Sequence, residues 1–161
     1  MEFRKNDIVT LEIVDCGTDG EGIGKADGFT VFVKDAVIGD TVTAKIMKAK
    51  KNYGYGRLME ILNASPYRVE PVCPSARQCG GCQLQAVSYE EQKVFKEKKL
   101  RGHLERIGGF TNLPMEPLIG MDEPYHYRNK AQFPVGRNKE GKIVTGFYAG
   151  RTHAIIENRD C

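Results

Sequence analysis

The sequence predicts two small domains, an all-β barrel over residues 1–62 and an α+β domain with an antiparallel sheet over residues 63–161. Short β-branched runs, separated by turns rich in glycine and aspartate, fill the first part of the chain. A proline-containing stretch, NASPYRVEPVCP, then marks a change of character and places the boundary near residues 62–66. The second part has one helical pattern, followed by segments that alternate and break like strands.

Four strands are expected in the barrel, at residues 8–14, 29–33, 41–47 and 55–61. Their connections, such as KDAVIGD, consist largely of turn-forming residues. The connection GTDGEGIGKADG has the composition of a glycine-rich nucleotide loop. It leads into the strand FTVFV rather than opening a helix, so the N–H array that would hold a phosphate is absent. We interpret it as a long hairpin of the barrel.

A helix is expected to begin after Ser88, because Ser88 and Glu91 have the spacing of a capping box. Gly108 and Gly109 are expected to end it. One arc of this helix is apolar at 3.6 residues per turn and is predicted to pack inward. Its members are Tyr89, Leu100, Leu104 and Ile107.

Three further segments predict an antiparallel sheet after the helix: HYRNKAQFPVG, GKIVTGFYAG and THAIIENRDC. Residues 138–141 have the composition of a hairpin turn between the first two segments.

Composition limits where the protein works. The formal net charge is +3, and no window approaches eighteen apolar residues, so no membrane span is expected. The first ten residues, MEFRKNDIVT, have no apolar core of a secretory signal. We therefore expect a cytoplasmic protein, whose thiols stay reduced and in which clustered cysteines are metal ligands or catalytic groups more often than disulfides.

The cysteines give the most specific signal. Cys73, Cys79 and Cys82 have the spacing C-x5-C-x2-C, Cys161 is the last residue, and Cys16 lies in the barrel. Structural zinc sites usually have two close pairs, whereas a triplet with a distant fourth thiol is more typical of an iron–sulfur cluster. Zinc stays the main alternative.

Two neighbouring features bear on the choice of ligands. The adjacent glycines Gly80 and Gly81 give the backbone the freedom to wrap a cluster. Cys161 is the favoured fourth ligand, since the last strand could carry it back to the loop. Cys16 is the rival, but it lies at the end of a predicted barrel strand in the other domain, where a free cysteine usually serves as a small apolar filler, so Cys161 is preferred.

Several stretches resemble one known family. CPSARQCGGCQLQAVSYEEQKVFKEKKL resembles the cluster loop and following helix of the iron–sulfur RNA uracil-5 methyltransferases, which make 5-methyluridine in ribosomal and transfer RNA. GEGIGKADGFTVFVKDAVIGDTVTAKI is similar to the TRAM domain that precedes this loop, an OB-like RNA-binding barrel. YRNKAQFPVG and GFYAGRTHAIIENRDC are similar to the central domain of that family.

The resemblance implies a [4Fe-4S] cluster on Cys73, Cys79, Cys82 and Cys161. It also implies that the Rossmann domain, which binds S-adenosylmethionine, follows the central domain and is absent from this chain. The catalytic residues would then lie outside residues 1–161, and this chain alone would be inactive. The implied substrate is 23S rRNA, with tRNA as the alternative, and a monomer is expected.

Methylation of uracil C5 requires a thiolate that adds to C6 and a base that removes the C5 proton. Cys16 is the one cysteine outside the candidate cluster set. Its neighbours in IVDCGTDG are aspartates, which would raise its pKa, so we do not expect it to be the nucleophile.

RNA contacts are predicted along a basic stretch that is interleaved with tyrosines. Basic side chains reach phosphates, and exposed aromatic rings stack on unpaired bases. The predicted residues are Lys45, Lys48, Lys50, Lys51, Tyr53, Tyr55 and Arg57, with Arg128 and Lys130 from a second basic stretch.

Two other functional classes stay open on the sequence alone. One is a stand-alone RNA-binding protein with a zinc or iron–sulfur site and no catalysis. The other is an electron carrier or a radical enzyme. Radical S-adenosylmethionine enzymes commonly have C-x3-C-x2-C, and the wider first gap here, together with a fourth thiol, favours a closed cluster.

Overall fold

A computed structural model describes residues 3–150, 152–158 and 161. Five strands form a closed barrel in the order β1-β2-β3-β5-β4. They are β1 (Ile8–Cys16), β2 (Gly22–Ala26), β3 (Phe29–Lys34), β4 (Thr41–Ala49) and β5 (Tyr53–Asn63). All neighbouring pairs are antiparallel except β3 and β5, which run parallel. The predicted all-β barrel is confirmed, and β5 extends one residue beyond the expected domain boundary at residue 62.

Alternation of apolar and polar residues builds the barrel interior. In β1, Val9, Leu11 and Ile13 are buried while the residues between them are exposed. Strands β3 and β4 repeat this pattern, because successive side chains point to opposite faces of a strand. The resulting core joins all the strands except β2, whose Ala26 packs against it.

The strand β2 was not among the four expected. Its segment GIGKA is rich in glycine, which is typical of a turn. The glycines are required by close packing: a Cβ on Gly22 would lie 2.7 Å from the Ala36 carbonyl oxygen, and one on Gly24 would lie 2.7 Å from the Glu12 carbonyl oxygen. The expected long hairpin is therefore the β2–β3 pair, with a tight turn at residues 27–28.

A buried ion pair fastens the segment after the barrel to the barrel. Asp40 is fully buried and accepts hydrogen bonds from Arg68 Nε at 3.1 Å and Arg68 Nη2 at 2.5 Å. It also accepts from the backbone N–H groups of Val37 at 2.7 Å and Ser65 at 2.9 Å. Burial pushes the pKa of Asp40 upward, but the hydrogen bonds from Arg68, Ser65 and Val37 outweigh it and hold the pKa below its ordinary value.

The predicted helix is α1 (Tyr89–Arg106). Ser88 Oγ accepts a hydrogen bond from the Glu91 N–H at 3.4 Å, so Ser88 is the N-cap as expected. A capping box also requires the Ser88 N–H to donate to the Glu91 side chain, and this prediction was wrong. The Ser88 N–H donates to the Tyr67 carbonyl at 2.8 Å instead. The helix ends before Gly108, and Gly109 has a positive φ of 70°.

The expectation that one arc of α1 packs inward holds only in part, because Tyr89 and Leu104 are half-buried. Leu100 is 52% exposed and Ile107 is 81% exposed, and Glu91 is the buried residue of the helix. Tyr89 Oη accepts a hydrogen bond from the Met121 N–H at 2.7 Å, so the arc is partly covered at its start, whereas Leu100 and Ile107 are open to solvent.

The predicted antiparallel sheet is present with short strands: β6 (Val135–Arg137), β7 (Ile143–Tyr148) and β8 (Ile155–Glu157), in the order β6-β7-β8. The hairpin turn at residues 138–141 is confirmed by the Gly141 N–H, which donates to the Asn138 carbonyl at 3.0 Å. Among the described residues, no helix is long and apolar enough to cross a membrane.

Candidate functional site

The first predicted RNA-contact stretch occupies one outer face of the barrel. In the β4–β5 ladder, Lys48 lies opposite Tyr55 and Lys45 lies opposite Arg57. Lys48 and Arg57 are exposed, while Lys45 is half-buried. Lys50 and Lys51 are both exposed in the β4–β5 turn. The fold therefore places the basic side chains of β4 and β5 and the two tyrosines of β5 on a common surface.

An aromatic cluster forms the centre of this face. Phe32 of β3 lies beside β5, and its ring centroid is 5.9 Å from that of Tyr53 and 5.6 Å from that of Tyr55. The two tyrosine rings are 5.9 Å apart and nearly perpendicular. The sequence analysis missed Phe32, because its place beside the tyrosines depends on the parallel pairing of β3 with β5.

Glycines on the inner side of β5 make this arrangement possible. The sequence YGYGR alternates, so the tyrosines and Arg57 face outward while Gly54 and Gly56 face the core. A Cβ on Gly56 would lie 3.0 Å from Val31 Cγ1 and 3.2 Å from Ala44 Cβ. The core leaves little room for a side chain at this position of β5.

Arg128, from the second basic stretch, lies elsewhere. Its guanidinium carbon is 5.3 Å from the ring centroid of Phe147 in β7, within the range of a cation–π contact. A hydrogen bond with Tyr127 and the nearby thiols of Cys82 and Cys161 raise the pKa of Arg128. Lys130 is exposed. Arg128 therefore lies beside the small sheet, against Phe147 and Tyr127.

The segment that carries Cys73, Cys79 and Cys82, here called the cysteine loop, is attached to the small sheet. The Gly80 N–H donates to the Tyr148 carbonyl at 2.9 Å, and Cys79 forms an isolated β-bridge with Ala149. Cys79 is buried, Cys73 and Cys82 are half-buried and Cys161 is exposed. The loop therefore runs along the end of β7, with Cys79 covered and Cys73 and Cys82 partly accessible.

Contacts from the end of β8 bring the last cysteine toward the same region. Asn158 Nδ2 lies 3.6 Å from Cys73 Sγ, and Arg128 interacts electrostatically with both Cys82 and Cys161. Even so, over residues 3–150, 152–158 and 161 no three metal-ligating side chains come together as a group. The four thiols share a neighbourhood without converging.

The donor set itself suits an iron–sulfur cluster. Such clusters are held by thiolates and are tuned by N–H groups directed at sulfur. The Gly81 N–H lies 3.3 Å from Cys79 Sγ, and the side-chain amide of Asn158 lies against Cys73. A Cβ on Gly80 would lie 2.7 Å from the Tyr148 carbonyl oxygen, so the close approach of the loop to β7 requires glycine.

Cys16 has the properties of an unreactive thiol. Burial, followed by the negative charge of Asp15 and of Glu21, raises its pKa to about 11, against the lowering effect of Lys99. It is therefore protonated at neutral pH and is a poor nucleophile. The effect that the sequence predicted for its acidic neighbours is confirmed, and burial contributes more.

Comparison with known proteins agrees with the fold. Residues 3–59 match the model of the TRAM domain. The chain is 48% identical over 158 residues to an uncharacterized RNA methyltransferase of Halalkalibacterium halodurans, which covers 98% of this chain and 34% of that protein. A Clostridium tetani protein of the same description is also 48% identical over 158 residues, with the same coverage. One from Staphylococcus aureus is 41% identical over 159 residues, covering 99% of this chain and 35% of that protein.

A solution structure of a conserved protein of Methanococcus maripaludis is 28% identical and covers 35% of this chain and 81% of that one, with a TM-score of 0.34. The stronger comparisons are those with the TRAM model and with the curated relatives, of which the chain spans about a third of the length. Residues 3–59 are therefore similar to the TRAM domain, and the chain as a whole is similar to about a third of the length of these proteins named RNA methyltransferases.

Proposed function

We propose that this chain is the RNA-binding and cluster-bearing part of an S-adenosylmethionine-dependent RNA (uracil-5-)-methyltransferase that makes 5-methyluridine. The proposed substrate is 23S rRNA, and tRNA is the alternative. The proposal combines the names of the relatives, the TRAM match and the cysteine spacing. Methyl transfer is proposed for the whole protein, since this chain spans about a third of its relatives.

One observation carries the RNA-binding half of the proposal: the barrel face on which Lys48, Tyr55 and Arg57 lie together with Phe32. Exposed cations attract phosphates, and aromatic rings stack on bases whatever their identity. The face presents cations and aromatic rings together on the neighbouring strands β3, β5 and β4. Such a surface suits an unpaired RNA segment better than a duplex, whose bases are already stacked.

The proposed cluster ligands are Cys73, Cys79, Cys82 and Cys161. When bound, a [4Fe-4S] cluster would supply a covalent tie between the loop and the sheet. The protein itself positions the ligands. The Gly80 N–H holds the loop against the Tyr148 carbonyl, and the Gly81 N–H points at the Cys79 sulfur. Transfer of a methyl cation moves no single electrons, so the proposed role of the cluster is structural.

We expect the 161-residue chain to bind RNA without transferring methyl groups. Cys16, the cysteine outside the proposed ligand set, has a pKa of about 11 and is protonated at neutral pH. The glycine-rich segment is the β2–β3 hairpin, and it opens no helix that could hold a nucleotide cofactor. Incorporation of methyl groups into RNA by this chain and S-adenosylmethionine would contradict this expectation.

RNA binding is tested by fluorescence anisotropy of a labelled single-stranded RNA against salt concentration. The double variant Lys48→Ala/Arg57→Ala should weaken binding and reduce the salt slope by about 1.4, at about 0.7 per phosphate contact on a single strand. Lys98→Ala, in which a lysine of α1 is removed, is the control and should bind like the wild type. Equal loss in the control would mean that net charge alone drives the binding.

The metal site is tested by anaerobic purification and elemental analysis. Iron and acid-labile sulfide should each be found at about four per chain for a [4Fe-4S] cluster. Cys79→Ser and Cys161→Ser should lose both, while Cys16→Ser should retain them. Zinc without sulfide would support the alternative of a zinc-containing RNA-binding protein.

The substrate is tested with the full-length protein. Methylation of 23S rRNA and of tRNA transcripts is compared by mass spectrometry of the nucleosides. Formation of 5-methyluridine in 23S rRNA is the expected result. Product in tRNA alone would select the alternative, and a methylated base other than uridine would refute the assigned reaction.

A further inference from the structure

A cleft of about 560 Å³ lies between the barrel and the cysteine loop, which are in contact beside it. Phe32 and Tyr55 of the barrel form one wall, and Leu84 of the loop and Phe95 of α1 lie among the residues that line the rest. Its volume falls within the range of ligand sites, about 300–1,000 Å³. Aromatic side chains from two separate parts of the chain thus border one opening.

Contacts between the barrel and the loop hold the cleft together. Lys34 Nζ donates to the Arg77 carbonyl at 2.9 Å, and Arg77 Nε lies 3.5 Å from Asp35 Oδ2. Gly20 packs so closely on the loop that a Cβ there would lie 2.8 Å from Gln83 Cβ, and its φ is +83°. The cysteine loop therefore rests directly on the barrel.

Helix α1 is joined to the same loop. Gln92 Nε2 donates to the Leu84 carbonyl at 3.1 Å and to the Val87 carbonyl at 2.9 Å. These bonds place the first half of the helix, including Phe95, beside the loop. The ammonium of Lys99 lies 5.4 Å from the Phe95 ring centroid.

Charge is distributed unevenly around this cleft. Lys48 and Arg57 lie on the barrel face beside Tyr55. The charged side chains that line the cleft are mainly acidic: Asp19, Glu21 and Asp35, with the cation Lys34 beside them. Carboxylates repel phosphates, so the backbone of a bound nucleic acid would follow the basic side. The aromatic walls would then receive a base, which is uncharged and can stack.

We propose that this cleft binds one unstacked nucleotide of the RNA, which contacts both the barrel and the cysteine-loop domain. The inference rests on the proposed function and extends it, because it assigns Leu84 and Phe95 to the RNA site. The barrel face alone would bind RNA as an independent module. With the cleft included, the two domains bind the same strand together.

The experiment measures the affinity of the whole chain for a labelled single-stranded RNA of about 12 nucleotides, within the site sizes of single-strand binders, and for a duplex of the same sequence. Phe32→Leu should weaken single-strand binding about fivefold, and Phe95→Ala about threefold, as expected for partial loss of one base stack. Phe110→Ala, an exposed phenylalanine beyond the helix that does not line the cleft, is the matched control and should leave the affinity unchanged. Circular dichroism verifies that each variant is folded.

The outcomes separate the inference from the proposed function. If Phe32→Leu weakens binding but Phe95→Ala and Leu84→Ala match the wild type, the barrel binds RNA and the cleft does not. If Phe95→Ala weakens duplex and single-strand binding equally, the site is not selective for an unstacked nucleotide and the inference is overturned. If neither Phe32→Leu nor Lys48→Ala/Arg57→Ala changes binding, the proposed RNA face itself is refuted.

Discussion

Replacing Asp40 by asparagine tests the ion pair that fastens the barrel to the following segment. The carboxylate is fully buried and accepts from Arg68 through two nitrogens and from the N–H groups of Val37 and Ser65. The substitution Asp40→Asn keeps the shape of the side chain but presents an amide NH₂ to these donors. It also leaves the Arg68 guanidinium, 19% exposed, without its counter-ion. Breaking a buried pair costs about 3–5 kcal/mol, and partial exposure of Arg68 reduces this to about 2–3 kcal/mol.

The assay is urea unfolding followed by circular dichroism. With a slope of about 1–2 kcal/mol per molar urea, the midpoint of Asp40→Asn should fall by about 1–3 M at pH 7. Asp7→Asn is the control, because Asp7 is exposed and accepts a hydrogen bond from the Arg4 N–H. It removes the same charge and should change stability by less than about 0.5 kcal/mol.

The pH dependence gives a second, independent test. The folded-state pKa of Asp40 is lower than its value in the unfolded chain, so the stabilising contribution is present above the unfolded value of about 3.9. It is lost as the pH falls through the folded value, because the native state must then take up a proton. Wild type and Asp40→Asn should therefore differ most near neutrality and converge in acid. Equal midpoints at pH 7 would refute the assigned role of the pair.

Three further results are expected. Alkylation of Cys16 by iodoacetamide should be slow at pH 8 and should accelerate toward pH 11, since its pKa is raised to about 11, and fast modification at pH 8, measured by mass spectrometry, would contradict this. Gly56→Ala should lower the thermal unfolding midpoint through overpacking worth about 1–3 kcal/mol, whereas Gly17→Ala, which meets mainly the flexible Glu21 side chain, should change it little. Ser88→Ala should destabilise by about 0.5–1 kcal/mol in urea unfolding, and no change would show that the 3.4 Å cap bond contributes nothing.

The elements that the sequence predicted correctly are those whose signal is local. Strands β1 and β4 alternate in period two, and the turn at residues 138–141 has its own composition. The cap of α1 is likewise a property of Ser88 and its near neighbours. In each case the conformation is determined by residues that are close together in the sequence.

The features that the sequence did not reveal depend on contacts between distant segments. β2 is a strand because its glycines let Ala36 and Ile13 approach, and glycine alone indicates a turn. Phe32 joins the tyrosines through the parallel β3–β5 pairing. The helical period places Leu100 and Ile107 on one face of α1, but both are exposed. Periodicity shows which residues share a face and not whether another element covers that face.

Strand β5 connects the packing of the barrel to the composition of its outer face. Its side chains alternate between the barrel core and the outer face. A shift of one residue in its pairing would therefore turn the tyrosines inward and Gly54 and Gly56 outward. The tyrosines would then meet Val31 and Ala44, which already lie against Gly56 with no room for a larger group. The tightness of the core therefore fixes the register of β5. Because the register is fixed from inside, the tyrosines and Arg57 are held on the outer face without any ligand to order them.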